Sequence, residues 1–410
     1  MPNEAPLTDA EKAELLNWWL PAHDAPYQTA AQQVATLENE ERTIRQRGTV
    51  AHVANERPQE AMAHVLFRGE YDKRRDAVKP ATPAFLPPLP ANYPKNRLGF
   101  ARWLVRADHP LTARVTVNRF WQEVFGQGLV RTPGDFGITG ELPSHPELLD
   151  WLAVEFREKN WDVKKFFRLL VTSATYRQAA TVTPEKRRRD GSNRLLSRGP
   201  RFRMDAEMVR DYALATSGLL VRKLGGPSVK PYQPDGVWEA VAMIGSNTRD
   251  YKRDTGEALY RRSLYTFWKR SAPPASLDIF NAPSRETCTV RRERTNTPLQ
   301  ALVTLNDTQF VEAARNLAQR ALKQSAPSIS KQADYMARHL LARPLRADEQ
   351  KVVFQSLSDL QTFYDAHPKE ARELIAVGES KPDTALKPER LAAWTMLANT
   401  LLNLDEALNK

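Results

Sequence analysis

The sequence contains almost no cysteine and no long apolar run. Cys288 is the single cysteine among 410 residues, which excludes an intramolecular disulfide framework, a cysteine-based zinc cluster and a Cys-x-x-Cys-His haem attachment site within this chain. No stretch approaches the roughly 20 apolar residues of a membrane-spanning helix, so we expect no membrane span. The first eight residues lack the basic, apolar and small-residue order of a secretory signal, so we expect no signal peptide here.

Common catalytic and cofactor motifs are missing as well. The sequence has no Gly-rich phosphate loop, no Gly-x-Ser-x-Gly nucleophile elbow and no His-Glu-x-x-His pair. We therefore predict no cofactor and assign no metal ligand in this chain. The hydrophobic fraction of 41% is slightly lean, but it is compatible with a packed globular core.

Positive charge is abundant, and it is concentrated in one stretch. The net charge is +11, and residues 181–294 contain 18 Arg and 5 Lys against 13 acidic residues, an excess of ten. Arginine has a planar guanidinium that can bind carboxylate, sulfate or phosphate in a bidentate manner. Two interpretations stay open. One is an ion-pair network that holds loops, which we prefer, and the other is an anion-binding site.

Composition divides the chain into four parts. Residues 1–73 predict an N-terminal helical segment, and the proline-rich residues 74–96 predict an extended linker or a strap across a surface. Residues 97–323 predict a helical core with an irregular insert at 225–297, and residues 324–410 predict a C-terminal helical subdomain packed on that core. The fold class is therefore mainly α, with an irregular Arg- and aromatic-rich insert that contains one short strand or hairpin.

Local patterns predict where several elements begin and end. Residues 8–11 and 144–147 resemble capping boxes, and Thr297 with Pro298 predicts a helix start. The composition of residues 263–268 is typical of a strand. Apolar periodicity predicts helices over residues 97–106, 111–125, 205–220, 298–322, 331–341, 347–366 and 388–408.

The insert contains the best binding candidates. Arg261, Arg262 and Arg270 surround several aromatic residues, among them Trp268. Aromatic rings beside arginine can bind sugar rings with acidic groups, and the same mixture can stack on nucleobases. The alternative is a buried strand whose aromatics belong to the core and whose arginines pair with acids, and we give both interpretations equal weight.

Four more residues are candidates for ligand contact. Arg119 and Trp121 lie on one predicted helix and could together bind an anionic or sugar ligand, although an ion pair of Arg119 with an acid is slightly favoured. Asn296 and Gln300 lie near the start of a later helix. Because an amide in an apolar helix is costly unless it is hydrogen-bonded, such residues either hold the insert against the core, which we prefer, or line a cleft.

Catalysis is a second hypothesis, and it depends on three residues. His145 precedes Pro146 at a predicted helix start, and Asp135 lies ten residues upstream in a Gly-flanked turn. These two, or His145 with Glu207, could form an acid–base pair of a hydrolase or lyase. The simpler interpretation is that His145 packs against a loop and that Glu207 pairs with Arg210, three residues later on the same helix.

Six motifs in chain order carry a family resemblance. They are residues 109–119 (HPLTARVTVNR), 135–137 (DFG), 144–151 (SHPELLDW), 225–229 (GGPSV), 260–270 (YRRSLYTFWKR) and 295–302 (TNTPLQAL). Together they resemble the planctomycete-specific C-terminal domain of unknown function found in planctomycete cytochrome C domain-containing proteins. The resemblance covers most of the chain, from about residue 64 to residue 406.

This resemblance implies a setting but no activity. It implies an extracytoplasmic, periplasmic location and two partners, a c-type cytochrome module and a second planctomycete-specific domain, on the same polypeptide or in a complex. Haem c is then expected only on the partner module. Our leading hypothesis is a binding domain for an anionic ligand such as a sulfated or carboxylated glycan. A hydrolase or lyase is the alternative, and nucleic-acid binding, suggested by the basic middle, is the least favoured.

Overall fold

A computed structural model of the chain describes residues 7–47, 51–57 and 62–409. Within these residues the chain forms sixteen α-helices and one antiparallel pair of strands. The predicted mainly α class with one short hairpin is therefore confirmed, but the hairpin lies at residues 63–78 and not in the insert, where it was predicted. Two compact units share the chain. The smaller comprises residues up to 84 and residues 88–101, and the larger comprises residues 85–87 and 102–410. The four-part division by composition stays a prediction.

The smaller unit contains two complete helices and the hairpin. These are α1 (Asp9–His23), α2 (Ala25–Arg47), β1 (Ala63–Leu66) and β2 (Arg74–Val78). The predicted capping box is present, because Thr8 Oγ1 accepts a hydrogen bond from Glu11 N and the Glu11 carboxylate accepts one from Thr8 N at 2.8 Å. No side chain of α1 or of either strand is buried. Local hydrogen bonds therefore stabilise these elements more than apolar burial does.

Two apolar cores stabilise the larger unit. One lies among α4, α5 and α6 around Val117, Leu152 and Phe166, and the other packs α8 against α11–α15 around Leu317 and Leu391. The helices after α2 are α3 (Arg97–Leu104), α4 (Thr112–Phe125), α5 (Pro146–Glu158), α6 (Val163–Thr172), α7 (Pro184–Arg189), α8 (Ala206–Ser217), α9 (Ala275–Ile279), α10 (Pro298–Asn306), α11 (Thr308–Gln324), α12 (Ile329–Leu341), α13 (Ala347–Ala366), α14 (Pro368–Ile375), α15 (Pro388–Leu402) and α16 (Asp405–Leu408).

Helix α4 is fixed at both ends. His109 is 9% exposed, and its Nδ1 accepts hydrogen bonds from Leu111 N at 3.3 Å and Thr112 N at 3.2 Å, so the imidazole caps the first turn. The helix ends at Gly126, whose φ of +82° suits glycine. A Cβ at this position would lie 2.6 Å from the ring of Phe202, so the close approach of these two segments requires glycine.

Two other predicted helix starts have different outcomes. The capping box predicted at residues 144–147 is wrong, because His145 occupies the cap position and Ser144 Oγ is hydrogen-bonded to His145 Nδ1 at 3.0 Å. The start predicted at Thr297 is confirmed, since its hydroxyl accepts a hydrogen bond from Gln300 N. The helix predicted over residues 298–322 is divided, because Asp307 is extended and caps α11 anew.

The insert at 225–297 is mostly irregular. It contains α9 and three short 3-10 helices, at Glu239–Val241, Gly256–Tyr260 and Ser263–Tyr265. The strand predicted at residues 263–268 is wrong in form. Tyr265 N and Thr266 N close tight turns onto Arg262 and Ser263, and only Thr266 bridges to Val229. The turn hydrogen bonds occupy the donors that a strand would have offered to a neighbour.

A buried arginine attaches the insert to α8. Arg210 is 3% exposed, and it donates hydrogen bonds to the Leu259 carbonyl at 2.7 Å, the Arg261 carbonyl at 2.9 Å and Gln309 Oε1 at 2.8 Å. Burial lowers the pKa of Arg210 to about 10, which leaves it charged at neutral pH. The predicted pairing of Arg210 with Glu207 is wrong, because this guanidinium lies against the insert and Glu207 has another partner.

A buried glutamate attaches the other side of the insert to α11. Glu312 is 1% exposed and accepts hydrogen bonds from Tyr232 Oη at 2.9 Å, Tyr260 Oη at 2.8 Å and Ser380 N at 2.6 Å. Arg315, which is fully buried, lies 3.7 Å away as a counter-charge. Two tyrosines of the insert and the loop after α14 therefore meet at one carboxylate.

Candidate anion-binding cleft

A cleft of about 590 Å³ lies between α4, the first turns of α8 and the insert. We call it the arginine cleft. It is lined by Arg119, Glu123, Asp205, Glu207, Met208, Asp211, Arg262, Leu264, Pro283, Arg285, Thr287, Thr289, Val290, Arg291 and Arg292. Two of the predicted ligand contacts, Arg119 and Arg262, and one predicted catalytic residue, Glu207, thus line the same cleft although they are distant in sequence.

One wall of the cleft is an irregular stretch, residues 290–294, which bends at residues 290 and 291 and which we call the arginine segment. Arg292 Nη1 lies 2.5 Å from Glu207 Oε2, and Arg294 Nε lies 3.1 Å from Asp205 Oδ1. Both carboxylates belong to the start of α8, where negative charge is also favoured by the helix dipole. Hydrogen bonding to Glu207 raises the pKa of Arg292 despite its partial burial. These two ion pairs fix the arginine segment on α8.

The side chains of the arginine segment alternate. Arg292 and Arg294 are half-buried and paired, whereas Arg291 and Glu293 are exposed. The ion pairs hold Arg292 and Arg294 against the carboxylates of α8, whereas Arg291, which is in neither pair, lines the cleft. The same stretch therefore both attaches to α8 through Arg292 and Arg294 and exposes Arg291 in the cleft.

Four arginines of the cleft have no carboxylate partner among the described residues. Arg119, Arg262 and Arg291 are exposed, and no ion pair involves them in residues 62–409. Arg285 is also exposed, and its guanidinium stacks 4.6 Å from the ring of Trp268. Guanidinium groups that face a cleft without an internal anion can accept an external one. This contrasts with Arg292, whose charge Glu207 neutralises.

Carboxylates in the cleft moderate its positive charge. Glu123 is half-exposed, and Asp211 Oδ1 accepts hydrogen bonds from Ser263 N and Ser263 Oγ, both at 2.7 Å. No aromatic residue is among the described residues that line the cleft. The surface can therefore bind anionic groups through arginine and hydroxyl groups through carboxylate, but it offers no ring for stacking.

Three other predicted contacts in the insert have internal partners. The terminal nitrogens of Arg261, which is buried, donate to backbone carbonyls of residues 223–227, including Pro227 O at 3.0 Å. Trp268 Nε1 donates to the Ser284 carbonyl at 3.1 Å, and Arg270 forms an exposed ion pair with Glu286. Arg261 and Trp268 thus hold loops, and Arg261 does so through backbone carbonyls and not through the acids that the buried-strand interpretation expected.

The remaining predicted contacts lie outside the cleft. Trp121 is 5% exposed and stacks on Phe125 with 4.0 Å between ring centroids, so it belongs to the core. Gln300 is 1% exposed, and its Nε2 donates to the Ile279 carbonyl at 3.1 Å and to Thr295 Oγ1 at 2.9 Å. It holds the end of the insert against α10, which is the role we preferred. Asn296 is exposed just before α10.

The three predicted catalytic residues are not in mutual contact in the part of the chain that the structure describes. Asp135 Oδ1 accepts a hydrogen bond from Gly137 N at 2.7 Å and Oδ2 accepts one from Thr139, which together lower the pKa of Asp135. His145 contacts Ser144, and Glu207 pairs with Arg292. The carboxylates are therefore already engaged as hydrogen-bond acceptors, and no direct acid–base pair forms.

The described residues contain neither a candidate metal cluster nor a membrane-spanning helix. Residues 7–47, 51–57 and 62–409 contain no group of three or more His, Cys, Asp or Glu side chains placed to hold a metal ion. Within the same ranges no helix is both long and apolar enough to cross a bilayer. Cys288 is an exposed free thiol.

Sequence reasoning missed Arg285 and Arg291 as members of the cleft. The Arg-Arg-Glu-Arg run at 291–294 was a visible signal, but it does not tell which arginines are paired. That depends on Asp205 and Glu207, more than eighty residues earlier. Neighbouring side chains often point to opposite faces, so once the acid that pairs with Arg292 is known, Arg291 is expected on the other face.

Comparison with known proteins identifies a family for most of the chain. No curated protein and no solved structure matches it significantly. The family model PSD1, described as "Protein of unknown function (DUF1553)", matches residues 96–357. This range contains the arginine cleft, both ion pairs of the arginine segment and the whole insert, and it exceeds half of the sequence. The chain therefore belongs to the PSD1 family of proteins of unknown function (DUF1553).

Proposed function

We propose that this chain is a binding domain for an anionic, hydroxyl-rich ligand of the kind that a sulfated or carboxylated glycan presents, and that the ligand binds in the arginine cleft. The observation that carries the proposal is the set of exposed arginines, Arg119, Arg262 and Arg291, that lack a carboxylate partner among the described residues. Three elements far apart in sequence contribute them to one concave surface.

The mixture of charges favours a glycan over a dense phosphate polymer. Glu123 and Asp211 lie in the same cleft as these arginines. A carboxylate repels phosphodiesters but accepts hydrogen bonds from sugar hydroxyls. Arginine meanwhile binds sulfate or carboxylate groups in bidentate geometry. A ligand with spaced anions and many hydroxyls matches both kinds of side chain.

A direct binding assay tests the proposal. Dextran sulfate and polygalacturonate serve as sulfated and carboxylated probes, and neutral dextran serves as the control polymer. We expect the anionic probes to bind and neutral dextran not to bind, with affinity that falls as NaCl rises, because the screening length decreases from about 10 Å at 0.1 M to about 3 Å at 1 M. Salt-independent binding, or no binding of either anionic probe, would refute the proposal.

Single substitutions locate the site. Arg262→Ala and Arg291→Ala should each weaken binding of dextran sulfate about fivefold, the effect of losing roughly 1 kcal/mol from an exposed ion pair. Arg188→Ala is the matched control, because Arg188 is also exposed but lies on α7 and not in the cleft lining. Equal losses for all three variants would indicate non-specific attraction to a basic protein instead of a site.

We further propose that the domain works outside the cytoplasm beside a c-type cytochrome module and a second planctomycete-specific domain. The sequence resemblance described above supports this setting. Any redox role would then come through the partner module, since the single cysteine permits no haem attachment motif in this chain. Cell fractionation of the source organism, followed by haem staining of material captured with a tagged chain, tests both points. A cytoplasmic chain without a haem-staining partner would contradict them.

A further inference from the structure

We infer that the ligand is a linear polymer that extends beyond the arginine cleft into a second cleft, so that the site has subsites in a row. This inference rests on the proposed function. The second cleft, of about 480 Å³, is lined by Arg291 and Arg292 as well, and its other lining residues include Gln127 and Arg131. The arginine segment therefore lies between two clefts and contributes to both.

The local fold explains why the two clefts adjoin. Gln122 Nε2 donates to the Val290 carbonyl at 3.4 Å, and Arg294 Nη1 donates to the Gly126 carbonyl at 3.1 Å, so the arginine segment crosses the end of α4. The arginine cleft lies on the α8 side of this crossing. The second cleft lies on the side of the loop that follows Gly126.

Unpaired positive charge continues into the second cleft. Arg131 is half-buried, and its partner among the described residues is a backbone carbonyl, that of Ser192, at 3.4 Å. Three arginines that have no carboxylate partner in the described part of the chain are distributed along one path: Arg262 in the first cleft, Arg291 at the shared boundary and Arg131 in the second. A single sulfate or a small sugar acid would contact only part of this path, whereas a chain of anionic units contacts all of it.

The linings also favour a polysaccharide over a nucleic acid. Among the described residues, neither cleft is lined by an aromatic side chain on which a base could stack. Non-specific binding of single-stranded nucleic acids relies on such stacking together with positive charge. Glu293 continues the pattern of carboxylates into the second cleft, and Glu141, which also lines it, pairs with Arg194 at 3.0 Å. Acceptors for hydroxyl groups therefore accompany the arginines along the whole path.

Size-defined heparin oligosaccharides, from disaccharide to decasaccharide, test this inference by titration calorimetry on the full chain, with inorganic sulfate as the smallest probe. We expect affinity to rise more than tenfold with length and then to level off. The plot of log affinity against log salt concentration should steepen by roughly 0.7 for each added ionic contact, by analogy with single-stranded nucleic acids. A single-stranded DNA oligonucleotide of matched charge should bind more weakly than the decasaccharide.

Variants assign the length effect to the second cleft. Arg131→Ala should lower decasaccharide affinity about fivefold and leave disaccharide affinity unchanged, whereas Arg291→Ala should weaken both. Gln127→Glu is a second variant. Gln127 is exposed and lines the second cleft, so the added charge should repel only the longer ligands without a folding cost.

The outcomes distinguish this inference from the proposed function. Affinity that is independent of length, or Arg131→Ala and Gln127→Glu without effect on the decasaccharide, overturns the polymer inference while the Arg262→Ala loss still supports a single anion site. DNA that binds as tightly as the decasaccharide overturns the glycan as the polymer. Absence of binding to every probe overturns the proposed function itself.

Discussion

The substitution Glu312→Ala should loosen the attachment of the insert and destabilise the larger unit strongly. Glu312 accepts three hydrogen bonds, from Tyr232, Tyr260 and Ser380, and lies 3.7 Å from the buried Arg315. Alanine would leave two phenols and one amide without an acceptor and would leave Arg315 without its counter-charge. Each of these groups was desolvated on folding, so none recovers water as a partner without opening the structure.

The expected loss in the free energy of unfolding is about 4 kcal/mol. Removing one member of a buried ion pair costs about 3–5 kcal/mol. A hydrogen bond to a charged group contributes about 1.5–3 kcal/mol, but these contributions overlap with the ion-pair figure because the same carboxylate makes them all. A loss of this size shifts the unfolding equilibrium by about a thousandfold.

Urea unfolding, followed by tryptophan fluorescence, measures this loss. Trp238, one of nine tryptophans, is 2% exposed and lies within the insert, so the region that Glu312 attaches contributes to the signal. Glu312→Gln is the matched variant, since it also removes the charge but keeps one acceptor oxygen and the side-chain shape, and we expect a smaller loss than for Glu312→Ala. If Glu312→Ala costs less than about 1 kcal/mol, the value of an exposed pair, then the buried carboxylate does not anchor the insert.

Three further predictions concern pH and one ion-pair cluster. Burial lowers the pKa of His109 from its ordinary 6.5, and the neutral imidazole caps α4 through Nδ1. The stabilisation that this cap gives the folded chain is therefore complete above pH 6.5 and is lost as pH falls through the pKa of His109 in the folded state. Melting temperatures from pH 7.5 to 5 should show it, and His109→Asn should remove that pH dependence. Burial raises the pKa of Tyr232 from 10.0 to about 12, so the stabilisation by this phenol should be complete below pH 10 and should decline as pH rises towards 12. Circular dichroism at alkaline pH measures this decline, which should be smaller in Tyr232→Phe. Arg343 contacts both oxygens of Glu349, at 2.8 Å, and both of Glu406, at 2.6 and 2.8 Å, and it lowers the pKa of Glu349 to about 2. Because lysine cannot bind two carboxylates in this way, Arg343→Lys should lower the free energy of unfolding by about 1 kcal/mol at pH 7 and by much less near pH 2. An equal loss at both pH values would contradict this prediction.

The helices that could be predicted from the sequence are those with strong periodicity and clear ends. The prediction over residues 111–125 differs by one residue from α4, and the prediction over residues 347–366 matches α13. Apolar spacing and a terminal glycine are local signals, so no tertiary information is needed. Helix α14 was missed because its eight residues contain four charged side chains and few apolar ones, and its stability comes from burial of Ala371 and Ile375.

The insert and the cleft could be predicted only in part. Aromatic and β-branched residues at 263–268 favour a strand. Arg210, some fifty residues earlier, instead donates hydrogen bonds to the Arg261 carbonyl and to Ser263 Oγ, and these contacts keep the segment in turns. In the cleft, the aromatic residues close to Arg119 and Arg262 in the sequence indicate these two arginines as candidate ligand contacts. Whether an arginine is free or neutralised depends on the tertiary position of an acid, as Arg292 and Glu207 illustrate, and local sequence does not encode that position.

The alternation along residues 290–294 allows ligand preference and stability to be changed separately. Positions 292 and 294 face the carboxylates of α8, whereas 291 and 293 face water. A library randomised at 291 and 293 alone can therefore sample new specificities while every clone retains the contacts that hold this wall in place. The same separation would let natural relatives diversify what they recognise at little cost to folding.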